Sequence, residues 1–417
     1  MALHRIFSTA AKTLLPAAAL AAAAALAAGL AVPAAASAAT AGVTWGTLDT
    51  QPGHAAAEDR AGITMAMFEL NWASFEPSPG KVSASYAATM KSELAAYTAA
   101  GQHVTLGLGL EDPPAWVHKL ANATYTDQTG AVAPDADLVY SAAVRSAAAT
   151  YLSLAAAALP LTAFTAIRLG AGTGDGEMLY PGDGTYWAFS HAALTGTGLP
   201  AGMTRNPYPT WKPGTPGLTQ PQITRWLSWY IGGLDNLTGW EMTTLASLGF
   251  TGTYQLLTPG SGTRPDDLAQ TEQANLADDG TTGVGAVWTL YYAQLPATTR
   301  VMAYISSVAD NSGGNDSCQP ADTTVPLTSP AMDSWSATRW ITRIARQYNL
   351  PAGGENPGLN LPASLDTFYT DTTPAGMMAA ATRQARTCGL TDFYWAHDIH
   401  LWDGTIPFTT YTTYTTG

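Results

Sequence analysis

The sequence predicts an α/β fold, a (β/α)₈ TIM barrel with long insertions in its βα loops. Short β-branched or apolar runs alternate with longer Ala-rich helical patterns, and neither an internal repeat nor a Pro-rich or Ser/Gly-rich linker divides the chain. Strands separated by helices require crossover connections and a parallel sheet. Eight such units in about 380 residues fit one barrel. The alternative, an open doubly wound sheet, favours a Gly-rich phosphate turn after the first strand, and Gly46-Thr47-Leu48-Asp49 is not one.

The predicted elements follow one another in the order strand then helix. The strands are expected at 43–48, 63–68, 103–109, 164–170, 250–256, 301–305, a weak 351–355 and 391–396. The helices are expected at 83–100, 138–158, 221–234, 282–295, 332–348 and 374–387. Segment 332–348 illustrates the reasoning, because apolar residues recur at helical spacing after the capping residues Asp333 and Ser334.

Composition narrows the classes of partner. The 417 residues are 46% hydrophobic and only 12% charged, with a net charge of −13. That balance argues against nucleic acid or an anionic membrane surface as a partner, since both require clustered Lys and Arg. The chain holds 13 Trp and 18 Tyr, whose faces pack well on sugar rings. The composition therefore suggests a secreted protein that acts on an oligosaccharide or polysaccharide.

The N-terminus has the pattern of a signal peptide, expected to span 1–38. Arg5 and Lys12 precede an apolar run, and Ala36-Ser37-Ala38 supplies the small-x-small cleavage pattern. The alternative is an uncleaved membrane anchor. Cleavage would leave 39–417 as a single catalytic domain in the extracellular space. Exported thiols tend to oxidise, so Cys318 and Cys388 are expected to form a disulfide; no Cys-His arrangement supports a catalytic cysteine.

Two glutamates stand out at predicted strand ends, where a barrel places its active site. Glu177 lies in a Gly-rich turn after the fourth strand, and Glu355 follows Gly353-Gly354 at the end of the seventh. Glycosidic bond cleavage needs one acid that protonates the leaving oxygen and one carboxylate that acts as nucleophile or base. The fourth and seventh strands lie across the barrel mouth from each other, so both side chains can reach one cleft.

Several segments resemble known (β/α)₈ glycosidases. The strand-2 segment 69–80 and the strand-3 segment 104–116 resemble β-galactosidases of glycoside hydrolase family 42, whereas 176–181 and 354–356 are more similar to the catalytic segments of β-amylases. The resemblance implies that Glu177 is the acid and Glu355 the nucleophile or base. Family 42 enzymes have Asn directly before the acid, where this chain has Gly176.

Further residues are expected to contact substrate. Trp395 resembles the tryptophan that floors the sugar site in these barrels, and the other candidates are hydroxyl-binding or cleft-flanking residues. The complete substrate-binding set is Asp49, Asn71, Trp116, Asp175, Tyr180, Trp187, Asn356 and Trp395. His397, His400 and Asp403 lack a fourth partner, so no metal site is expected, nor is a cofactor.

Three functions remain open at this stage. The first is a retaining β-glycosidase of galactosidase-like type, which the strand-2 and strand-3 segments favour. The second is an inverting, β-amylase-like enzyme that acts on an α-glucan. The third is a barrel that binds glycans without cleaving them, and such a barrel would not need both Gly-framed glutamates.

Overall fold

Eight parallel strands close into a barrel in the computed structural model, which describes residues 42–416 apart from 175, 183, 278–279, 297–299, 315 and 360–362. Strand order around the barrel is β1-β2-β3-β6-β7-β8-β9-β10, with β10 paired to β1. The strands are β1 Thr44–Thr47, β2 Ile63–Glu69, β3 His103–Gly107, β4 Thr124–Thr126, β5 Val132–Ala136, β6 Phe164–Leu169, β7 Thr253–Thr258, β8 Val301–Ile305, β9 Ala352–Glu355 and β10 Asp392–Trp395. The predicted fold class is confirmed.

Helices cover the outside of the barrel between consecutive strands. They are α1 Ala55–Arg60, α2 Trp72–Phe75, α3 Ala84–Ala100, α4 Ala142–Ala158, α5 His191–Thr195, α6 Gln220–Ser247, α7 Pro265–Gln273, α8 Trp288–Gln294, α9 Ala337–Gln347, α10 Ala363–Thr370, α11 Met377–Cys388 and α12 Phe408–Thr416. Within the described ranges, no helix has the length and apolar character that a membrane crossing requires. Gly42–Gly417 forms one compact unit.

Every predicted barrel strand is present, and local chemistry accounts for the shifted boundaries. α3 begins after Ser83, whose Oγ accepts from the Tyr86 amide, and ends at Gly101 in the left-handed region (φ 92°). β7 begins three residues later than predicted, because Phe250 instead bonds back to the Leu245 carbonyl at the end of α6. α9 begins after Ser336, which caps it, rather than near Asp333 as the sequence suggested.

Two helices differ in length from their predictions. α6 has 28 residues, whereas the sequence predicted 221–234, because its buried face continues through Leu237, Met242 and Leu245 past a glycine pair that reads as a break. α8 is shorter than the predicted 282–295, since Gly285 adopts a φ of 86° and keeps the preceding segment in turns.

The βα loops carry the expected insertions. β4 and β5 form an antiparallel hairpin in the loop that follows β3, which the sequence analysis did not predict. A second long insertion separates the end of β6 from α6 and includes α5. Both lie beyond the carboxyl ends of strands, where barrel loops build the functional face.

Strand alternation divides the barrel residues into two sets. Met302, Tyr304 and Tyr394 belong to a cluster inside the barrel, whereas the neighbouring Phe393 and Trp395 belong to the larger core between strands and helices. Successive side chains of a strand point to opposite faces. Two neighbouring residues at a strand end therefore point in opposite directions, one to the barrel mouth and the other to the helices.

One disulfide joins two segments of the barrel surface, as predicted. Cys318 lies in the loop after β8, and Cys388 is the last residue of α11, 70 positions along the chain, with a Cα–Cα distance of 4.9 Å. The bond closes a loop that includes α9, β9 and α11. It therefore restrains the unfolded chain over the region that contributes Glu355.

We expect the double variant Cys318→Ala/Cys388→Ala to lose up to about 4 kcal/mol in free energy of unfolding, from the loop-closure entropy of a bridge of this span. Urea denaturation followed by circular dichroism measures the change, and reduced wild-type protein should match the variant. Two titratable thiols in the unfolded, unreduced protein would contradict the pairing.

Candidate active site

Glu355 lies at the carboxyl end of β9 with its side chain inside the barrel. It is buried, and its Oε2 atom accepts hydrogen bonds from the Tyr304 hydroxyl (2.7 Å) and from the Arg168 guanidinium. Arg168 extends from β6 and also lies over the Tyr304 ring, 4.6 Å from its centroid. Three strands therefore hold one carboxylate: β6, β8 and β9. In the described part of the chain both donors use Oε2, which leaves Oε1 available for chemistry.

Charge balance in this group depends on the arginine. Burial alone would lower the pKa of Arg168, but the negative charge of Glu355, with Tyr304 and Glu69 nearby, raises that pKa above its ordinary value. The guanidinium therefore remains charged beside the carboxylate. A charge-assisted bond of this kind fixes the direction of the Glu355 side chain.

Glu177 is positioned by the Gly-rich turn after β6. Gly172, Gly174 and Gly176 all have positive φ, which only glycine adopts readily. The turn folds back so that the Ala171 amide donates to the Glu177 carbonyl (3.0 Å). The half-buried side chain then accepts from the Ser306 hydroxyl at Oε1 (2.7 Å).

The two glutamates are tied to one strand. Tyr304 lies in β8, and Ser306 follows its last residue and continues the ladder, donating its amide to the Thr258 carbonyl (3.3 Å). Residues two apart on a strand share a face and lie about 7 Å apart along it. Because Tyr304 holds Glu355 and Ser306 holds Glu177, both carboxylates lie at the β8 side of the barrel mouth.

A second carboxyl pair lines the same mouth. Glu69, at the end of β2, hydrogen-bonds Glu111, and both lie with Arg168 and Gly176 around a small cavity. A Cβ at Gly107 would approach Glu69 Oε1 to 2.5 Å, so glycine is required beside it. Burial and then the charge of Glu111 raise the pKa of Glu69. Carboxyl groups thus line the mouth around Arg168.

Asp49 and His397 form an ion pair at the rim. Asp49 follows β1 with a φ of 49°, and its Oδ2 lies 2.7 Å from His397 Nδ1. This hydrogen bond lowers the pKa of Asp49 and raises that of His397. Asp49 is exposed at the rim of the mouth, and its role in substrate binding stays a prediction.

Trp395 requires a correction. It is fully buried and packs between the rings of Tyr369 (4.9 Å) and Tyr411 (6.1 Å). By alternation it points outward to the helices while Tyr394 points into the barrel. It therefore presents no ring face to a ligand in this structure.

Tyr180 and Trp187 are likewise core residues rather than walls of the cleft. The Tyr180 ring stacks on Tyr230 (4.2 Å), and its hydroxyl donates to the Tyr230 carbonyl. The Trp187 amide donates to the Tyr230 hydroxyl (3.0 Å), and both predicted residues are buried. Their role is to anchor the loop after β6 onto α6.

Asn356 faces away from the mouth. It is 1% exposed, and its Oδ1 accepts from the Ala396 amide (3.0 Å) while its Nδ2 donates to the Pro357 carbonyl (2.8 Å). These bonds join the ends of β9 and β10, and they leave no free amide group for a sugar. The prediction that Asn356 binds substrate is corrected accordingly.

The remaining candidates lie in the loops after β2 and β3, apart from Asp175, which lies outside the described residues. Asn71 caps α2 by accepting from the Ser74 amide (2.8 Å) and donates to Asp112 (2.5 Å). Trp116 is half-buried, and its ring meets Trp72 edge to face. Both positions keep surface on the functional face of the barrel.

The sequence analysis did not single out Arg168, Tyr304 and Ser306, which hold the two glutamates. A signal for Arg168 was present, since a cation in the otherwise apolar strand Phe164–Leu169 is unusual. Among the described residues, no three His, Cys, Asp or Glu side chains form a group that could hold a metal ion.

Comparison with known proteins supports the architecture. No protein-family model and no curated protein matches the sequence. The structure is similar to the catalytic domain of β-amylase from Paenibacillus polymyxa, with a TM-score of 0.61, 13% identity, and coverage of 90% of this chain and 98% of that one. It is also similar to the β-galactosidase from the psychrophilic Marinomonas ef1, with a TM-score of 0.53 and 13% identity.

The second similarity covers 85% of this chain but only 54% of the β-galactosidase, so the chain spans about half of that protein. At these identities the matches establish the fold. The expected resemblance to (β/α)₈ glycoside hydrolases is thus confirmed at the level of architecture. The two similar structures are a β-amylase and a β-galactosidase, the two kinds of enzyme whose motifs the sequence resembles.

We expect Asp49→Asn to lower the pKa of His397, because the variant removes the charge that favours the imidazolium. In the wild type, the stability that this pair contributes is present below the ordinary histidine pKa and is lost as pH rises through the raised pKa of His397. NMR titration of the His397 imidazole measures the shift. Asp403→Asn, which removes a charge that does not contact His397, serves as the control; an unmoved midpoint in Asp49→Asn would contradict the pairing.

Proposed function

We propose that this protein is a glycoside hydrolase that cleaves glycosidic bonds with Glu177 and Glu355. The observation that carries the proposal is the attachment of one carboxylate to Tyr304 of β8 and of the other to Ser306, which directly follows that strand, in the mouth of a (β/α)₈ barrel. Two carboxyl groups in one cleft are the minimum apparatus of glycoside hydrolysis. The similarity in fold to a β-amylase and a β-galactosidase supports the same reaction class.

The environments of the two glutamates differ in the way that the reaction requires. Glu355 accepts hydrogen bonds from an arginine and a phenol, which hold one of its oxygens in place, and we assign it the role of the nucleophile. Glu177 accepts a hydrogen bond from the neutral Ser306 hydroxyl, and we assign it the role of the acid. The acid gives its proton to the leaving oxygen, and the carboxylate supports the anomeric carbon as the bond breaks.

A retaining mechanism on a β-glycoside is the form of the reaction that we propose. Glu355 Oε1 attacks the anomeric carbon while Glu177 protonates the departing oxygen, which yields a covalent glycosyl-enzyme. Water then attacks that carbon, its proton passes to Glu177, and the Glu355 carboxylate is released. A fixed, charge-paired carboxylate with one free oxygen suits a nucleophile.

The second candidate is an inverting, β-amylase-like enzyme acting on an α-glucan. It is favoured by the end-to-end match with the β-amylase catalytic domain and by the segments around Glu177 and Glu355. In this case Glu355 would activate water instead of attacking the sugar. Chromogenic β-galactosides and starch, offered to the same purified protein, separate the two substrates.

We expect Glu177→Gln and Glu355→Gln each to lower kcat by several orders of magnitude while the fold is retained, because each glutamine keeps the shape but loses the proton transfer or the nucleophile. Steady-state kinetics on the best substrate of the panel measure the loss. Glu93→Gln, the same change on outer helix α3, is the control. A variant that keeps more than about a tenth of wild-type kcat would contradict its assignment.

We expect the first-formed product to keep the anomeric configuration of the substrate. A ¹H NMR time course, recorded before mutarotation, measures this directly. If the first anomer is inverted, Glu355 acts as a base on water and the β-amylase-like candidate replaces the retaining one.

We also propose that the protein is exported and that 1–38 is removed as a signal peptide. The disulfide between Cys318 and Cys388 supports export, since such bonds persist in oxidising compartments. Intact mass of the protein from the culture medium should correspond to a chain beginning at Ala39. A chain retained in the membrane fraction with its N-terminus intact would indicate an anchor instead.

A further inference from the structure

A large groove lies on the outside of the barrel, away from the two catalytic glutamates. It has a volume of about 940 Å³ and runs between α4, α6 and the segment 200–204. The side of α6 that packs on the barrel carries Trp226, Tyr230, Leu234 and Leu237. The groove lies along the other side of the same helix.

One face of α6 forms the floor of this groove. Trp229, Gly232, Asp235, Gly239 and Trp240 all line it and recur at helical spacing. Trp229 and Trp240 are three turns apart, or about 16 Å along the helix axis. Between the two indoles the floor is narrow: Gln294 Oε1 lies 3.0 Å from where a Cβ would stand on Gly232, and Pro296 lies 3.7 Å from the same position on Gly239.

Both indoles are held in place by neighbours. Trp229 donates from Nε1 to the Thr204 carbonyl (2.9 Å), and its ring packs on Tyr140 (5.9 Å). The buried Arg145 guanidinium lies over the Trp240 ring, 5.6 Å from its centroid. Each ring is only half-buried. Rigid, partly exposed indoles are suited to stacking on a ligand with flat apolar faces.

Asn236 and Asp235 of the groove differ in their hydrogen bonds. Asn236 is occupied, because its Oδ1 accepts from Arg145 (2.7 Å) and its Nδ2 donates to the Ala201 carbonyl (3.4 Å). In contrast, no donor in the described part of the chain reaches Asp235 Oδ1, although that atom is shielded from solvent. A shielded carboxylate oxygen without a donor is costly. The Asp235 side chain as a whole is half-buried and lines the groove, so a ligand hydroxyl there can donate to its carboxyl group.

We propose that this groove is a second carbohydrate-binding site, which holds a segment of a neutral polysaccharide by stacking on Trp229 and Trp240 and by hydroxyl donation to Asp235. A pyranose ring has two features that complement the groove: an apolar C–H face for the indoles and hydroxyl donors for the carboxyl group of Asp235. The distance between the indoles favours an oligosaccharide segment over a single sugar. The choice of a polysaccharide rests on the proposed function, whereas the groove itself does not.

The first experiment measures binding in the absence of cleavage. Full-length protein carrying Glu177→Gln is run in native gels that contain starch, a soluble β-1,4-glucan or galactan. We expect at least one polymer to retard migration, and Trp229→Ala or Trp240→Ala to weaken the apparent affinity about tenfold. Asp235→Ala should weaken it as well. Trp240→Phe, which keeps an aromatic face, should restore most of the binding.

Matched controls separate this site from general effects. Tyr348→Ala removes a half-buried aromatic side chain at the end of α9 and should leave retardation unchanged. Melting temperatures identify variants that fail to fold. If an alanine variant fails to fold, the retardation of Trp240→Phe is compared with that of the parent protein instead. Retardation by none of the three polymers, or equal retardation in a Trp229→Ala/Trp240→Ala double variant, would overturn the proposal.

The second experiment distinguishes the groove from the barrel mouth. In the wild-type background, Trp240→Ala should leave kcat and KM on a small chromogenic glycoside unchanged and raise KM on the retarding polymer. If the protein hydrolyses none of the substrates, the native gels still measure binding in the groove. The proposal of hydrolysis and the proposal of a binding groove can therefore fail independently. A wild-type dimer in sedimentation velocity that dissociates in the double variant would assign the groove to a second copy of the chain and overturn the carbohydrate site.

Discussion

The ion pair between Arg168 and Glu355 is the interaction on which the barrel mouth depends. Taking two charges out of water is expensive, and a buried pair is tolerated only with good geometry and further hydrogen bonds. The Tyr304 hydroxyl and ring supply these from β8, which neighbours the strand of Glu355 and lies two strands from that of Arg168. Loss of either partner would leave a buried charge uncompensated. The same ion pair therefore links strands on this side of the barrel and places the candidate nucleophile.

Most of the architecture could be predicted because its signals are local. Alternating runs and helical patterns located all eight barrel strands, including the weak one at Ala352–Glu355. The length of α6 could not be predicted, since Gly232 and Gly233 lower helix propensity and only tertiary packing of the following turns outweighs it. The hairpin β4–β5 was missed because its strands are short and β5 contains Pro134, a residue that is unusual inside a strand.

The site was predicted less completely, for a geometric reason. Glu177 and Glu355 are marked by glycines and strand ends, and the structure brings them together. Position at a strand end does not tell which way a side chain points. Asn356 and Trp395 therefore satisfied the criterion yet face the helices, whereas Arg168 and Tyr304 lie within strands and face the mouth.

The alternation of strand residues also limits how the length of this chain can change. One residue inserted in β9 ahead of Glu355 would turn its carboxylate outward and place it among apolar helices, far from Arg168. Two residues would restore the direction but lengthen the strand. Side chains in the loops after β3 and β6 do not alternate between two faces of a sheet. Insertions in these loops therefore leave the inward side chains of the strands undisturbed. Related chains can therefore differ in the length of these loops, where new specificities arise. They cannot differ in the length of the strands that carry the charge pair.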